Sequence, residues 1–447
     1  MNVESVADLN NTRDLLIYLK SLGRLDKDAP GDLFLSLLSH KSSQVRYWAV
    51  KNLGKLRNTS HLKTLSEVAE KDISSTVRRE AVSSIGRLRS QATIPILIGC
   101  LNDEDPKVVL QALRGLIPYK KAPNVAKQLE ILRKHPNEMI QDVLQREDSN
   151  QEKVKNKNYC PTKSPVFMRD VVVHGDVRDV LRIVPDQSVH LTFTSPPYYN
   201  ARDYSFYQSY QEYLDFLTSV FAEVHRVTHE GRFFILNTSP VIIPRVSRTH
   251  ASRRYPIPFD IHPRLVDMGW EFVDDIVWAK PEASVKNRNA GFLQHRKPLG
   301  YKPNPVTEYL MVYRKHSPKL LDWNIRQYDR SIVEASKVDD GYETTNLWHI
   351  DPVYDRVHSA VFPLALCHRV IQYYSYRGDL IFDPFGGSGT LGRAARQLGR
   401  LFFMAEKEAE YVERMRQNLG VGGLFFEDLY RFVSLRQFQE MAENDKG

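Results

Sequence analysis

The stretch LTFTSPPYYN, residues 191–200, ends an apolar run in two hydroxyl side chains, two prolines and two tyrosines. The prolines lack a backbone N–H and hold the chain extended, so nearby carbonyl oxygens remain available to a ligand. Ser195 would add a hydroxyl acceptor, and Tyr198 an aromatic face. This combination could hold an amine and a flat ring, although a polyproline ligand and a simple strand terminator share the pattern.

A second candidate site lies in DLIFDPFGGSGTLGRAARQLG, residues 379–399, where an apolar strand runs through a glycine turn into a helix. Glycines let a ligand approach the backbone closely, with the helix N-terminus behind it. The spacing Gly387-x-Gly389-x-x-Gly392 matches the dinucleotide fingerprint, and Glu406 ends the next apolar strand, where it could bind ribose hydroxyls. No Gly-Lys-Ser/Thr follows, which excludes a P-loop and leaves NAD or another adenosine cofactor.

Together and in this order, the two motifs resemble those of the amino-methylating DNA methyltransferases of the β class, which use S-adenosyl-L-methionine. VHSAVFPLALCHRVIQYYS, residues 357–375, resembles the helix that precedes the cofactor loop in that family. GDVRDVLRIVPDQSVHLTFTSPPY, residues 175–198, resembles the run that leads to the catalytic turn. His190 stands where the family usually has an acid. The resemblance covers about 165–420.

The resemblance implies a Rossmann-like α/β domain with a mostly parallel sheet, and S-adenosyl-L-methionine as cofactor. The residues it implies for catalysis are Ser195, Pro196, Pro197 and Tyr198. Those it implies for cofactor binding are Asp176, Thr194, Phe362, Pro363, Asp383, Phe385, Gly386, Gly387, Ser388, Gly389, Thr390 and Glu406. Asp176 is the candidate for the adenine amine, and a helix cap is the alternative for this residue.

The residue before Pro-Pro usually separates two activities in this family. Asp or Asn accompanies methylation of adenine N6, whereas Ser preceded by Thr accompanies methylation of cytosine N4. Thr194 and Ser195 therefore imply N4-methylcytosine in double-stranded DNA, with Tyr198 stacked on a flipped base. Adenine N6 methylation is the alternative on the same scaffold, and methylation of RNA or a protein amide is more distant. A non-catalytic repeat adaptor that binds a nucleotide is the alternative from another class.

The elements that must position these residues follow a polar segment, 149–165, which reads as a linker. Beyond it, over 166–447, short apolar strands alternate with helices, as expected for an α/β domain. Long basic stretches within about 240–350 are candidates for target recognition. The residues proposed there for contact with DNA are Arg245, Arg248, Arg253, Arg254, Lys286, Arg288, Arg296 and Lys297.

Residues 1–148 repeat themselves. SSQVRYWAVKNLGKL, from 42, realigns on SSTVRREAVSSIGRL, from 74, and a weaker copy begins at 105. The apolar positions step by three and four, which predicts amphipathic helices in a HEAT-like solenoid. Such repeats build binding surfaces. A clamp on DNA phosphates through Lys51, Lys55, Arg78 and Arg79 is one hypothesis, and docking or dimerisation is the alternative.

Bulk composition constrains the function less. The formal charge of +8 is compatible with a polyanionic partner, and residues 1–150 carry 23 basic and 18 acidic side chains. Three widely separated cysteines predict neither a disulfide framework nor a metal site. No apolar stretch reaches the length of a membrane span and no secretory signal is recognisable, so we expect a cytoplasmic protein. A cognate restriction endonuclease and a homodimer are compatible with the sequence and remain open.

Overall fold

The structure is a computed structural model that describes residues 11–23, 25–26, 29–152, 163–199, 207–243, 253–284, 305–317, 319–353, 361–420 and 430–445. The chain forms two compact units, Met1–Asn156 and Lys157–Gly447. The last helix of the first unit runs to Glu152, four residues into the segment that the sequence predicts as a linker. No helix of the described residues has the length and apolar character that crossing a membrane requires.

The first unit consists of helices joined by short turns, several of them 3-10 helical. Its helices are α1 (Thr12–Ser21), α2 (Asp32–Ser36), α3 (Ser43–Lys55), α4 (Leu62–Lys71), α5 (Ser75–Arg87), α6 (Ile94–Gly99), α7 (Pro106–Leu116), α8 (Pro123–Leu132) and α9 (Glu138–Glu152). Helices α3, α5 and α7 are the three copies of the repeated pattern. Val45 and Val77, which occupy equivalent positions 32 residues apart, are fully buried. The predicted helical solenoid is confirmed.

Two largely buried ion pairs connect successive repeats at equivalent positions. Arg46 of α3 bonds to Asp72 at 2.7 Å, and Arg78 of α5 bonds to Asp103 at 2.8 Å. Each arginine lies in the first turns of its helix and reaches the carboxylate in the turn before the next copy. Separating two stacked repeats would leave these buried charges without partners, which is strongly destabilising. The pairs therefore fix the position of one repeat on the next.

The ion pairs correct part of the phosphate-clamp hypothesis. Arg78 is 7% exposed and bonds to Asp103 and Glu104, so it holds two repeats together instead of facing a ligand. The Lys55 ammonium donates to the backbone carbonyl of Leu22. Both cations are therefore engaged inside the solenoid.

The second unit is built on one large sheet. Its strands are β1 (Val171–His174), β2 (Val189–Thr194), β3 (Thr228–Thr238), β4 (Val241–Ile243), β5 (Arg253–Tyr255), β6 (Trp270–Ala279), β7 (Thr307–Lys315), β8 (Leu347–His349), β9 (Leu380–Asp383), β10 (Leu401–Glu406) and β11 (Arg431–Ser434). The order in the sheet is β11-β1-β10-β9-β2-β3-β7-β6-β8, and β4 pairs with β5 separately. Strand β7 runs antiparallel to β3 and β6, and the other pairings of this sheet are parallel.

Helices cover both faces of this sheet. They are α10 (Val177–Ile183), α11 (Tyr210–Val227), α12 (Ile257–Asp267), α13 (Leu321–Ile325), α14 (Arg330–Ala335), α15 (Leu364–Tyr374), α16 (Thr390–Gln397), α17 (Ala409–Gly420) and α18 (Leu435–Asn444). Successive strand residues alternate between two apolar cores: Val171 and Val173 belong to one, with α10, α11, α12 and α18, and Val172 belongs to the other, with α15, α16 and α17. The predicted α/β fold with a mostly parallel sheet is confirmed.

A buried polar cluster lies at the amino ends of β2 and β9. His190, which departs from the family pattern, accepts a hydrogen bond at Nδ1 from the Leu380 amide at 3.1 Å. The adjacent Asp379 accepts from the Tyr328 hydroxyl at 2.6 Å and pairs with Arg232. The cluster is at the opposite end of these strands from the two motifs, so we assign His190 to the stability of the sheet.

Candidate active site

Four neighbouring parallel strands, β1, β10, β9 and β2, end at the same edge of the sheet, and a cavity of about 600 Å³ opens there. Its volume is within the roughly 300–1,000 Å³ that small-molecule sites occupy. The two motifs are more than 180 residues apart, yet both reach the cavity because β2 and β9 are adjacent and parallel.

Most of the predicted site residues line this cavity. Those that do are Asp176, Ser195, Pro196, Pro197, Tyr198, Phe362, Asp383, Phe385, Gly386, Gly387, Ser388, Thr390 and Glu406. The structure therefore brings together the Pro-Pro-Tyr turn, the glycine loop and the acid after the following strand.

Thr194, Pro363 and Gly389 lie outside the lining of the cavity, and each has a structural task beside it. The buried Thr194 hydroxyl donates to Asp383 Oδ1 at 2.6 Å. Pro363 precedes the first residue of α15. Gly389 precedes α16 with a φ of +77°, a region that favours glycine. The cofactor contacts that the sequence implies for these three residues stay predictions.

The glycine loop is folded tightly against the end of β10. The Gly386 amide donates to the carbonyl of Ala405 at 2.9 Å, and the Gly387 amide donates to Glu406 Oε2 at 2.8 Å. A Cβ atom at Gly386 would lie 2.7 Å from Cε of Met415 and 3.3 Å from the Ala405 oxygen. The loop can therefore pack this closely against β10 and α17 only without a side chain at Gly386.

Glu406 ends β10 with its carboxylate in the wall of the cavity. Besides the bond from Gly387, its Oε1 accepts from the Glu408 amide at 2.8 Å. Burial raises the pKa of Glu406, while the backbone N–H donors act in the opposite direction. A carboxylate held by two backbone amides has a fixed orientation and lone pairs left for ligand hydroxyls.

Asp383 connects the two motifs. It ends β9, is 3% exposed, and accepts both the Thr194 hydroxyl and the Phe385 amide, the latter at 3.0 Å. Burial raises the pKa of Asp383 to about 7, against the lowering effect of these two donors, and nearby Glu406 adds to the rise. The carboxyl group therefore changes its charge in the physiological pH range.

Tyr198 is held by residues that the sequence did not point to. Its hydroxyl donates to Glu308 Oε2 at 3.1 Å, and Glu308 pairs with Lys280. Burial of the phenol, followed by the Glu308 charge, raises the pKa of Tyr198 well above its ordinary value, so it stays a hydrogen-bond donor. The nearby hydroxyls of Ser239 and Ser195 act to lower the pKa of Tyr198. The sequence does contain one signal for Lys280 and Glu308. Lys280 directly follows the apolar strand β6, and Glu308 lies near the start of the apolar strand β7, which pairs with β6.

Asp176 is a helix cap, one of the two alternatives considered for it, and its contact with the adenine amine stays a prediction. It caps α10, accepting from the Arg178 amide at 3.0 Å, and its carboxylate also pairs with the Arg178 guanidinium at 2.8 Å. The side chain nevertheless lines the cavity. The Arg178 guanidinium lies over the ring of Phe216, which joins the lining from α11. No sequence signal pointed to α11 as a wall of the site.

Two of the predicted DNA-contacting residues can be located. Arg253 and Arg254 lie on the exposed strand β5, which pairs with β4, and the Arg253 guanidinium lies over the ring of Tyr255. The other six, Arg245, Arg248, Lys286, Arg288, Arg296 and Lys297, lie outside the described residues. Within the described part of the chain, no group of three or more His, Cys, Asp and Glu side chains is arranged to hold a metal ion.

The cavity fits the cofactor that the sequence implies. S-adenosyl-L-methionine combines vicinal ribose hydroxyls, a flat purine and a positively charged sulfonium group. The cavity offers the Glu406 carboxylate for hydroxyls, the aromatic rings of Phe362 and Phe385 for the purine, and Asp383 for a cation. Gly386 and Gly387 of the glycine loop line the same cavity.

Comparison with known proteins agrees with this geometry. The profile of the DNA methylase family matches residues 189–417, just over half of the chain, and the profile of HEAT repeats matches 31–117. The Type II methyltransferase M.ScaI of Streptomyces caespitosus is 27% identical over 252 residues, which cover 54% of this chain and 79% of that protein. M.Cfr9I of Citrobacter freundii is 28% identical, over 54% of this chain and 84% of that protein.

One similar solved structure is the putative DNA modification methylase TTHA0409 of Thermus thermophilus in complex with S-adenosyl-L-methionine. The two sequences are 25% identical, and the match covers 60% of this chain and 98% of that chain, with a TM-score of 0.49. The family match spans β2, β9, β10 and the loops at their carboxyl ends, which form most of the cavity, and the part that follows β1 precedes the match. The chain belongs to the DNA methylase family and is a DNA methyltransferase that uses S-adenosyl-L-methionine, preceded by HEAT repeats.

Proposed function

We propose that the enzyme methylates the exocyclic N4 of cytosine within a specific sequence of duplex DNA. The observation that carries this proposal is the Thr194–Tyr198 turn, which presents Ser195, not a carboxylate or carboxamide, at the wall of the cavity. A site-specific modification enzyme, alone or beside a cognate restriction endonuclease, is the role we infer.

The exocyclic amine of cytosine is a weak nucleophile because its lone pair is delocalised into the ring. In our proposal the Ser195 hydroxyl oxygen and the Pro196 carbonyl oxygen accept its two N–H bonds. These contacts favour a pyramidal nitrogen with a localised lone pair. The Ser195 hydroxyl lines the cavity close to the Tyr198 phenol, and its oxygen has two lone pairs with which it can accept from the amine.

When bound, the cofactor supplies a methyl group on a sulfonium sulfur, which is a good leaving group. The chain has to hold the amine in line with that methyl group, and such positioning accounts for a large share of the rate. The amine needs no strong base before it attacks. Once the new N–C bond has formed, the surplus amine proton leaves through Ser195 Oγ or to water.

Tyr198 provides the surface on which the flipped base would stack. Its ring lines the cavity, and its hydroxyl is anchored on Glu308, which Lys280 holds in turn. An anchored ring loses little further freedom when a base stacks on it. Stacking would offset part of the cost of taking the base out of the duplex, which is roughly a few kcal/mol.

Tyr198→Ala is expected to raise KM for DNA about 5- to 100-fold, because stacking of a base on an aromatic ring contributes about 1–3 kcal/mol. Tyr198→Phe keeps the ring and loses the hydroxyl that bonds to Glu308, so its KM should stay within about fivefold of the wild type. Steady-state kinetics on one duplex compare the three proteins. Equal KM values for the alanine and phenylalanine variants would contradict the stacking role.

Binding of the cofactor is expected to depend on pH through Asp383. Because burial raises the pKa of Asp383 to about 7, the carboxyl group is mostly neutral at pH 6 and mostly ionised at pH 7.5. The cofactor is a cation and binds the ionised form better. Its affinity should therefore rise about fivefold between these pH values, as linkage requires when binding favours loss of a proton.

Calorimetric titrations of the cofactor at pH 6 and 7.5 measure this rise. Asp383→Asn should bind more weakly at pH 7.5 and show no rise. Asp215→Asn is the matched control, since Asp215 also lines the cavity but bonds to Arg264, which lowers its pKa and keeps it ionised at both pH values. A wild-type affinity that does not change with pH would refute the assignment of Asp383.

A transfer assay tests the substrate class. We expect label from methyl-labelled S-adenosyl-L-methionine to enter mixed-sequence duplex DNA, and structured RNA and unfolded protein to remain unlabelled. Label should also concentrate in a subset of restriction fragments, because a site-specific enzyme leaves most fragments unmodified. Uniform labelling of the fragments would contradict the inferred role in sequence-specific modification. It would still agree with methyl transfer to DNA.

A further inference from the structure

The two edges of the HEAT-repeat solenoid carry side chains of opposite charge, and the catalytic function does not explain this difference. The turns after α3, α5 and α7, residues 56–61, 88–93 and 117–122, follow parallel neighbouring helices and therefore share one edge of the solenoid. These turns contain Arg57, Arg89, Lys120 and Lys121 and no acidic residue. We call these three turns the basic edge. On the opposite edge, the turns after α4 and α6 contain Asp72, Asp103, Glu104 and Asp105.

The cations of the basic edge are presented to solvent. The side chains of Arg57, Arg89 and Lys121 are exposed, and within the described part of the chain none of them has an ion pair. Lys120 differs, since it pairs with Glu147 at 2.9 Å. This edge thus carries one uncompensated charge per repeat, in contrast to Arg46 and Arg78, which are buried in ion pairs between the repeats.

Arg57 and Arg89 also occupy the same unusual backbone position. Each follows the last residues of a repeat helix with a positive φ, 50° and 54° respectively. This left-handed position at the end of a helix favours glycine, or asparagine after it. Two consecutive repeats accept a side chain there, and it is the same cation. Strain that recurs at equivalent exposed positions indicates a functional requirement for the side chain.

Close packing of the helices brings the turns of the basic edge next to one another. A Cβ atom at Gly86 would lie 3.2 Å from Cα of Gly115, and one at Gly54 would collide with Ser84. The carboxyl-terminal ends of α3, α5 and α7 are therefore drawn together at the basic edge. The axes of packed helices are roughly 8–10 Å apart, which gives the distance between neighbouring turns of the basic edge. This distance is about the height of three base pairs of a DNA duplex, at roughly 3.4 Å each.

We propose that the basic edge binds the phosphate backbone of duplex DNA through Arg57, Arg89 and Lys121. The partner is assigned by charge complementarity and by the regular, extended arrangement of the cations, which suits a linear polyanion better than a compact anionic ligand. The contact carries no sequence information and adds affinity for DNA outside the methylated site. This surface replaces the phosphate clamp expected from the sequence, which relied in part on Lys55 and Arg78.

The test is a full-length variant that combines Arg57→Gly, Arg89→Gly and Lys121→Gln. Glycine suits the left-handed positions, so this variant should keep or raise its melting temperature while it loses three cations. The matched control removes three exposed lysines from the opposite edge: Lys71→Gln, Lys107→Gln and Lys134→Gln. The net charge changes equally in both.

Fluorescence anisotropy of a labelled mixed-sequence duplex of about 40 bp, at roughly 50–200 mM NaCl, gives affinity and its salt dependence. Because the variant cannot neutralise three of the phosphates, the slope of log K against log salt should become less steep by about 2–3, and affinity at about 100 mM NaCl should fall at least tenfold. The control should change the slope by less than about 1. Equal slopes and affinities for both variants would overturn the proposal, whether the edge binds another partner or only complements the helix dipoles.

Discussion

Ser195→Ala is expected to lower the turnover of methyl transfer about 100- to 1,000-fold, the usual effect of losing one hydrogen-bonding group that acts at the reacting centre. The hydroxyl is proposed to contact the target amine and not the cofactor, so the affinity for S-adenosyl-L-methionine should stay within about twofold. Single-turnover rates report the first quantity and calorimetry the second. A fall in kcat with unchanged cofactor binding is the signature of a contact made in the transition state.

Ser239→Ala is the matched control for this experiment. Ser239 also has its hydroxyl close to the Tyr198 phenol, whose pKa it lowers, but it does not line the cavity. Loss of either serine removes a hydroxyl beside Tyr198, whereas loss of Ser195 alone removes the proposed acceptor for the amine. If the two variants lose activity equally, Ser195 acts only by orienting Tyr198. If Ser195→Ala loses cofactor affinity while it remains folded, its role is misassigned.

Glu406→Ala should have the opposite pattern and weaken cofactor binding about 100-fold or more. A hydrogen bond to a charged group contributes about 1.5–3 kcal/mol, and a carboxylate that receives ribose hydroxyls makes two such bonds. The same change leaves the Gly387 amide without its acceptor and loosens the loop. At saturating cofactor, turnover should recover most of its wild-type value, because Glu406 is not proposed to touch the target base.

Two further variants make this result specific. Glu406→Gln keeps an acceptor oxygen for the Gly387 amide and should bind with intermediate affinity. Glu410→Ala removes an exposed acid from the first turn of α17 and should bind like the wild type. Calorimetry and thermal melts, measured with and without cofactor, compare the three. Unchanged cofactor affinity in Glu406→Ala would show that the ribose hydroxyls bind elsewhere.

The site could be predicted from the sequence to the extent that it depends on strand ends. An apolar run that ends in Ser195-Pro196-Pro197, and another that ends in Asp383 before a glycine turn, both place their polar residues at the carboxyl ends of strands. Parallel strands collect such residues at one edge of the sheet, where the sites of α/β proteins lie. The structure places β2 beside β9 and bears out this reasoning.

Contacts across neighbouring strands could not be predicted, because they depend on which strands pair and in what register. The bond from Thr194 to Asp383 joins residues 189 apart and gives Thr194 a positioning task that no local pattern indicates. Glu308 and Lys280 reach Tyr198 from strands whose order in the sheet no local pattern specifies. The wall formed by α11 was missed for the same reason.

In the repeats, periodicity identified the helices and their buried faces but not the partners of the charged residues. Arg46 and Arg78 recur at the repeat spacing, and an exposed arginine could recur at the same spacing. Only the stacking of one repeat on the next shows that these two are buried in ion pairs. The basic edge was overlooked because its residues lie in turns, outside the aligned helical pattern.

Nucleoside mass spectrometry tests the central claim most directly. Mixed-sequence duplex DNA from a host without DNA modification is incubated with the enzyme and S-adenosyl-L-methionine, digested to nucleosides and compared with a reaction that contains Ser195→Ala. We predict N4-methyl-2′-deoxycytidine as the product of the wild type, strongly reduced with the variant. A product consisting of N6-methyl-2′-deoxyadenosine alone would contradict the assignment of cytosine N4.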